Sequence, residues 1–506
     1  MIQLTIESIV NACNGIIIRK GANNYIKGIS TDTRRIQPEM LFIPLVGENY
    51  DGHDFVIDAS KKGIYATLVE KNKKLTFLNE LENIYVIEVE NTLKALKDIS
   101  KKYKERFQIP FIAVTGSNGK TSTKDMISAV LSSRYKTLKS EGNFNNQIGL
   151  PLTLFNLDKS HEFAVLEMGM SSFGEIEGLV DIVNPNIAVV TNIGMAHIEN
   201  LGSKENIMKA KMEISKNLSE EDILLFNGDD EYLKSIQHKE HMEHMEHMGT
   251  VLLCCSELDC NNTEEPSPCV QQNDTEEPSP CVPRYKAISF GMDKTNDFYP
   301  EKIYDLGDKG VAFDILINRE TEKFYIKQPG LHNVYNALVA IWVGLFYEIT
   351  PKEINKSLHS YIPTKMRMEI IENNNCKIIN DCYNASPNSM KAALSVLANS
   401  VGKRKIAILA NMLEMGRFSE KGHRFVGKCV AENKIDILIT VGEEAKWIAD
   451  EAKNAGLDKR NIFKVGKIQE TNLLLLEIIK QGDTILVKGS RGMQMENIVQ
   501  LLLERC

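Results

Sequence analysis

The sequence predicts an α/β protein of three domains, and three observations carry that reading. The chain has 506 residues, more than one domain of about 100–200 residues holds. Short apolar runs ending in Gly or a polar residue alternate with helical stretches along most of its length, the rhythm of parallel sheets. One such run, FIAVT, leads through a Gly-rich turn directly into a helix, the layout of a phosphate-binding loop.

Residues 1–108 form the first expected unit, a small α/β domain. MLFIPLVG and YATLVE read as strands, and DFVIDASKKG as a helix stopped at Gly63. KDISKKYKERFQ reads as a charged helical connector, after which Pro110 introduces FIAVTG. The second unit, residues 109–363, continues with the strands EFAVLEMG and NIAVVTNIG, whose carboxyl ends should carry the site. VAFDILIN and the helix LHNVYNALVAIWVGLFYE complete it. Inside it, about residues 229–290 differ in character: HKEHMEHMEHM repeats every three residues and TEEPSPCV occurs twice. So little apolar side chain predicts a surface insertion. Its His238, His241, His244 and His247 drift around a helix at that spacing, and no CxxC pair accompanies them, so no metal site is expected there. The third unit, residues 364–506, shows five short apolar runs, CKIIND, KIAILAN, IDILITVG, NIFKVG and DTILVKGS. This is a doubly wound, Rossmann-like pattern, but no strand is followed by G-x-G-x-x-G, which argues against a dinucleotide site.

Composition excludes several functions. Sixty Lys plus Arg against sixty-eight Asp plus Glu leave a formal charge of −8, so a polyanion-binding surface is not expected and no nucleic-acid partner is inferred. No window reaches the roughly 18 apolar residues of a membrane helix, and Glu7 and Asn11 interrupt the start where a signal peptide would be apolar. A cytoplasmic protein without a membrane span is expected. Of ten cysteines, five (Cys254, Cys255, Cys260, Cys269, Cys281) crowd the insertion. The scattered remainder read as reduced core thiols.

Chemistry concentrates first in Gly116-Ser117-Asn118-Gly119-Lys120-Thr121-Ser122. Backbone N–H groups and a helix N-terminus converge there on an anion-sized space; Lys120 would neutralise the β/γ-phosphates and Thr121 would ligate Mg²⁺. The pattern departs from the standard loop, whose first Gly would stand at Val114. Glu167 in LEMGM, His197 in NIGMAHIENLGS and Lys211 in MKAKMEI lie at ends of the same predicted sheet. A carboxylate and an imidazole at successive strand ends suit a second divalent ion beside a triphosphate.

Taken in order, VTGSNGKTSTKD, EMGM, NIGMAHIENLGS, KAKMEI, GLHNVYNAL, MRME, NDCYNASPNSM, ANMLEMG with His423, and LVKGSRGM resemble the motif set of the Mur ligases of peptidoglycan synthesis. EMGM, DCYNASP and MLEMG resemble the branch that adds a D-alanyl-D-alanine dipeptide, and STDTRRIQPEMLFIPLVGENYDGHDF resembles its UDP-recognition segment. The resemblance covers most of the chain except about 229–290. It implies an ATP-dependent ligase that activates the carboxylate of UDP-N-acetylmuramoyl-tripeptide to an acyl phosphate, which the amine of D-alanyl-D-alanine attacks. The first domain would bind the UDP substrate, the second ATP, and the third the incoming amine while completing the ATP site.

Residue by residue, the resemblance carries Lys120 and Thr121 to phosphate and metal binding, and Glu167 and His197 to the metal sites, with two Mg²⁺ ions. Lys211 matches a lysine carbamylated by CO₂. Asn333 and Asn336 fall beside the nucleotide, and Arg367 and Asp381 reach ATP from the third domain. Tyr383 and Asn384 belong to the same motif and are assigned to substrate. For the UDP substrate the resemblance points to Thr31, Asp32, Thr33, Asn49 and His53, and EGNFNNQIGLP adds Asn143, Asn145, Asn146 and Gln147. Asn411 stands where Asp is common before MLE, and Ser386 where Asn is common. A monomer is expected. A sister ligase adding one amino acid, a folylpolyglutamate synthase-like ligase, an NTPase switch and a catalytically silent relative remain as alternative readings.

Overall fold

The computed structural model describes residues 3–73, 78–236, 285–372 and 376–505. The histidine repeat and both TEEPSPCV copies lie outside them. Three sheets of five or six strands organise the chain. The first runs Ile16–Arg19, Tyr85–Val89, Ala66–Glu70, Met40–Phe42, Gly28–Ser30, parallel except for the antiparallel edge pair of Ile16–Arg19 with Tyr85–Val89. The strand expected over MLFIPLVG is only Met40–Phe42, because Pro44 has no N–H to continue a ladder.

The connector helix is more than a connector. It spans Thr92–Lys104, and Asn91 caps it by accepting from the Lys94 N–H at 2.8 Å. Lys94, Lys101 and Lys102 face solvent, but Ala95, Leu96, Ile99 and Tyr103 pack in one core with Ile9 and Ile26 of the first unit and Leu150, Leu154 and Phe155 of the second. The Tyr103 hydroxyl donates to the Leu157 carbonyl at 2.6 Å. The first two units therefore share a continuous apolar core.

The central sheet is entirely parallel, in the order Thr137–Lys139, Phe163–Glu167, Phe111–Thr115, Ile187–Val190, Ile223–Asn227, Lys286–Phe290. Four of these strands are buried at every position, as a sheet covered on both faces demands. Lys286–Phe290 falls inside the stretch read as an insertion, so the polar segment is narrower than its composition suggested. The helix His332–Phe346 packs with the loop helix Lys120–Leu131 on one face. An antiparallel sheet of Lys302–Asp305, Val311–Ile317 and Glu320–Ile326 covers that core, with Phe313 stacked on Phe324. The expected strand VAFDILIN is its middle member.

In the third unit the order is Glu369–Glu372, Cys376–Asp381, Asp483–Lys488, Arg404–Ala410, Ile437–Val441, Ile462–Val465. The five expected runs are all present and parallel, and the antiparallel edge Glu369–Glu372 is an addition. Separate cores on its two faces give the doubly wound form. Cys13, Cys382 and Cys429 are free thiols, whereas Cys376, read as reduced, is disulfide-bonded; an apolar run around a cysteine gives no signal of its partner. No helix among the described residues is long and apolar enough to cross a membrane.

Candidate active site

A cleft of about 730 Å³ separates the carboxyl ends of the central strands from those of the third unit. Sheet register builds its floor: Glu167 pairs with Val114, and Val190 with Thr115. The loops that follow those strands therefore converge. Gly116 adopts φ +145°, and a Cβ there would sit 1.9 Å from Thr191 Oγ1, so only glycine fits. Gly119 takes φ +84° as N-cap of the helix Lys120–Leu131. The loop is pinned from the neighbouring strand, with the Ser117 N–H donating to the Asn192 carbonyl at 2.9 Å and the Asn118 N–H to Asn192 Oδ1 at 3.0 Å.

Lys120 Nζ donates back to the Gly116 carbonyl at 2.8 Å. Its burial pushes its pKa below the usual lysine range, an effect that Glu167 opposes and Arg367 reinforces. Thr121 Oγ1 donates to Glu167 Oε2 at 2.8 Å, and Asn145 Nδ2 donates to Glu167 Oε1 at 2.8 Å. The buried Glu167 thus holds the hydroxyl of the phosphate loop and one amide of the Asn-rich segment together. Thr123 Oγ1 donates to Asn336 Oδ1 at 2.9 Å, and Asn336 Nδ2 to Asn333 Oδ1 at 3.0 Å, joining the two Asn of GLHNVYNAL to the loop helix.

Residues of the third unit face this floor. Arg367 lies between two residues in the left-handed region, Met366 (φ +61°) and Met368 (φ +49°). Its guanidinium carbon stands 3.9 Å from the centre of the Tyr383 ring, and among the described residues its Nε has no hydrogen-bond partner. Asp381 holds this turn by accepting from the Met368 N–H at 3.2 Å, and Lys488 Nζ donates to Asp381 Oδ2 at 2.5 Å and to the Asn384 carbonyl at 2.9 Å. His197 Nδ1 lies 2.8 Å from Glu414 Oε2, a contact that bridges the two units and holds the Glu414 carboxyl below its usual range.

Not every expected residue lies here. Lys211 is buried but does not line the cleft; burial, and then the charge of Lys120, push its pKa well below the usual value. Thr31, Asp32, Thr33, Asn49 and His53 sit on the first unit, away from the cleft. Asp32 caps a short turn and pairs with Arg34 at 2.8 Å. His53 has both ring nitrogens engaged, Nδ1 with Asp51 at 2.6 Å and Nε2 accepting from the Glu70 N–H at 3.1 Å; it braces its loop and has no free ring atom for a ligand. Asn143 and Asn146 line the cleft with Asn145, whereas Gln147 accepts from Lys97 on the shared helix at 2.5 Å. Arg35 of the first unit lies over Phe144 at 5.9 Å, linking the two expected substrate segments.

Sequence reasoning missed Asp229, which accepts from Tyr335 Oη at 2.9 Å and Asn296 Nδ2 at 2.7 Å, and His332, Glu414 and Lys488. Glu414 and Lys488 stand inside recognised motifs at the ends of strands, and that position was the available signal. Among the described residues no three His, Cys, Asp or Glu are grouped to hold a metal by themselves. The hard oxygens of Thr121 and Glu167 do suit Mg²⁺, which takes one or two protein oxygens and completes its shell with phosphate and water.

Comparison with known proteins agrees with this architecture. Family profiles described as Mur ligase family, catalytic domain, Mur ligase middle domain and Mur ligase, glutamate ligase domain match residues 25–104, 114–252 and 366–491. The UDP-N-acetylmuramoyl-tripeptide–D-alanyl-D-alanine ligase of Bacillus subtilis is 36% identical over 100% of this chain and 99% of its own. Its namesake in Escherichia coli is 29% identical over the same shares. A crystal structure of MurF from Acinetobacter baumannii superposes with a TM-score of 0.83 at 26% identity, over 99% of both chains. The phosphate-loop cleft between the strand ends of two parallel-sheet units and these end-to-end likenesses lead to one conclusion: the chain belongs to the Mur ligase family.

Proposed function

We propose that this chain is the ATP-dependent amide ligase that joins D-alanyl-D-alanine to UDP-N-acetylmuramoyl-tripeptide, yielding UDP-N-acetylmuramoyl-pentapeptide, ADP and phosphate in peptidoglycan precursor synthesis. The observation that carries this reading is its end-to-end likeness to relatives of that activity, 36% identical in the case of Bacillus subtilis. In this reading residues 1–108 bind the UDP substrate, 109–363 bind ATP, and 364–506 bind the incoming amine and complete the ATP site.

A carboxylate oxygen of the tripeptide attacks the γ-phosphorus of ATP, the bond to the bridging oxygen breaks, and ADP leaves. The dipeptide amine then attacks the acyl carbon, loses a proton, and the tetrahedral intermediate expels phosphate as the amide forms. Charge neutralisation and alignment are the protein's task, since no covalent protein intermediate is required. Lys120 and the N-terminus of Lys120–Leu131 bind the transferred phosphoryl group, while Arg367 approaches from the opposite wall. Asn333 and Asn336 bind beside the nucleotide and Asp381 fixes the Arg367 turn. Thr121 and Glu167 would hold Mg²⁺, which supplies charge neutralisation at the phosphates. A second ion near His197, with Lys211 as a carbamate, belongs to the same reading; the lowered pKa of Lys211 supports it, because only the neutral amine reacts with CO₂.

The discriminating experiment is phosphate release with ATP and UDP-muramoyl peptides, with mass spectrometry of the product. Turnover dependent on D-alanyl-D-alanine supports the proposal. Turnover with single amino acids instead, or ATP hydrolysis without any acceptor, rejects it.

A further inference from the structure

The loop that presents Glu414 is tied down at successive positions. The Met412 N–H donates to His423 Nε2 at 2.9 Å, the Leu413 N–H to Ser490 Oγ at 2.9 Å, and the Ala445 N–H to Asn411 Oδ1 at 2.8 Å. His423 is fully buried and its Nδ1 lies 2.8 Å from the Ser419 carbonyl, so Nδ1 carries the proton and Nε2 accepts. This bracing holds Glu414 at φ +63°, a left-handed conformation that a non-glycine residue keeps only where its surroundings impose it. His197, across the cleft, stands at φ +61°. The loop also abuts the chain after His197, since a Cβ on Gly416 would lie 3.0 Å from Glu199 Cγ. Two backbone outliers from different units therefore meet side chain to side chain.

We infer that Glu414 is the positioning residue of His197: its carboxylate, delivered by the third unit, fixes the Nδ1–H tautomer and leaves Nε2 as the ring atom with a free lone pair. A carboxylate on one ring nitrogen is the usual way a working imidazole is oriented. His197 is then set only when the third unit is docked, which ties its readiness to closure. The functional half of this inference rests on the ligase reading above.

The test uses full-length protein with ¹⁵N-labelled histidine, near pH 8, where an ordinary imidazole is neutral. In the parent protein the His197 signals should be those of the Nδ1–H tautomer. In Glu414→Ala they should move to the mixture of a free imidazole while His423 stays unchanged. Under ligase assay kcat should fall by about 10–100-fold, with KM for the UDP-tripeptide unchanged. Glu414→Gln keeps an acceptor oxygen and should recover most of the tautomer bias and part of kcat. Unmoved His197 signals in Glu414→Ala overturn the inference whatever reaction the protein catalyses. Moved signals with unchanged kcat overturn its functional half. A parent protein without dipeptide-dependent turnover fails the ligase reading and leaves the spectral result standing.

Discussion

The Ser386 hydroxyl donates to Asn118 Oδ1 at 3.0 Å, so the third unit hooks the phosphate loop itself. Asn118 is held from the other side by the central sheet, its carbonyl accepting from Thr191 Oγ1 at 2.6 Å. Ser386 is also the N-cap of Pro387–Asn399, in a capping box with Ser389. It therefore serves local and interdomain structure at once. Ser386→Ala should lower unfolding free energy by about 1 kcal/mol through the lost cap, and raise KM for ATP about fivefold through the lost bridge. Ser386→Gly costs the cap only a few tenths of a kcal/mol and has no side chain to reach Asn118, so thermal melting should nearly hold while KM still rises. An unchanged KM in Ser386→Gly would show that the bridge has no role of its own.

Much of this was legible because it is local. The strands FIAVT, EFAVLE and IAVV are continuous apolar runs, and the glycines of the loop mark backbone that tolerates no Cβ. What escaped was long-range. Nothing near Thr92–Lys104 announces that its apolar face would join two units, since its charged face dominates composition. Lys286–Phe290 was hidden by the polar tract beside it, whose composition overrode a five-residue strand signal. Asp229 and Tyr335 meet across 106 residues of sequence, and no spacing rule brings such a pair together. Lys211 is assigned to a metal by resemblance alone; the structure shows that it is buried and outside the cleft lining, which no local pattern around it announces.

Lys120→Ala should abolish ligation by several orders of magnitude, as expected on removing a cation that stabilises transferred phosphoryl charge. Calorimetric binding of the UDP substrate should be nearly unchanged, because Thr31, Asp32, Thr33 and Asn49 lie on another unit, outside the cleft. Loss of both together would contradict this division of labour.

His332 gives a pH signature. It lines the cleft beside the Asp381–Lys488 pair, and burial lowers its pKa to about 4, Asp381 partly opposing and Lys488 adding to the effect. Between that value and about 6.5 the unfolded chain binds more protons than the folded one, so unfolding free energy rises with pH across this window. Stability should be complete above it and fall on acidification, by up to about 3 kcal/mol from this group. Denaturant melts of His332→Gln should show a flatter profile between the two values. An unchanged slope would assign the acid sensitivity elsewhere.

Lys211 is 2% exposed and, among the described residues, its Nζ makes no hydrogen bond or ion pair. A buried ammonium without a partner is strongly disfavoured, so burial shifts Lys211 toward the neutral amine. That amine can add CO₂, releasing one proton and becoming an anion, whereas the ammonium would repel a nearby cation. Two measurements follow from one cause. With CO₂ excluded, the unfolded chain carries a proton that folded Lys211 lacks, from its lowered pKa up to about 10.4, so unfolding free energy should climb with pH throughout that range. Lys211→Met should remove that slope. In the presence of bicarbonate, Lys211→Ala should lose activity by several orders of magnitude, and acetate or propionate at high concentration should restore part of it by placing an anion in the vacated space. If alkylamines rescue the variant and carboxylates do not, Lys211 acts as a cation, and the carbamate reading is wrong even where the stability slope is found.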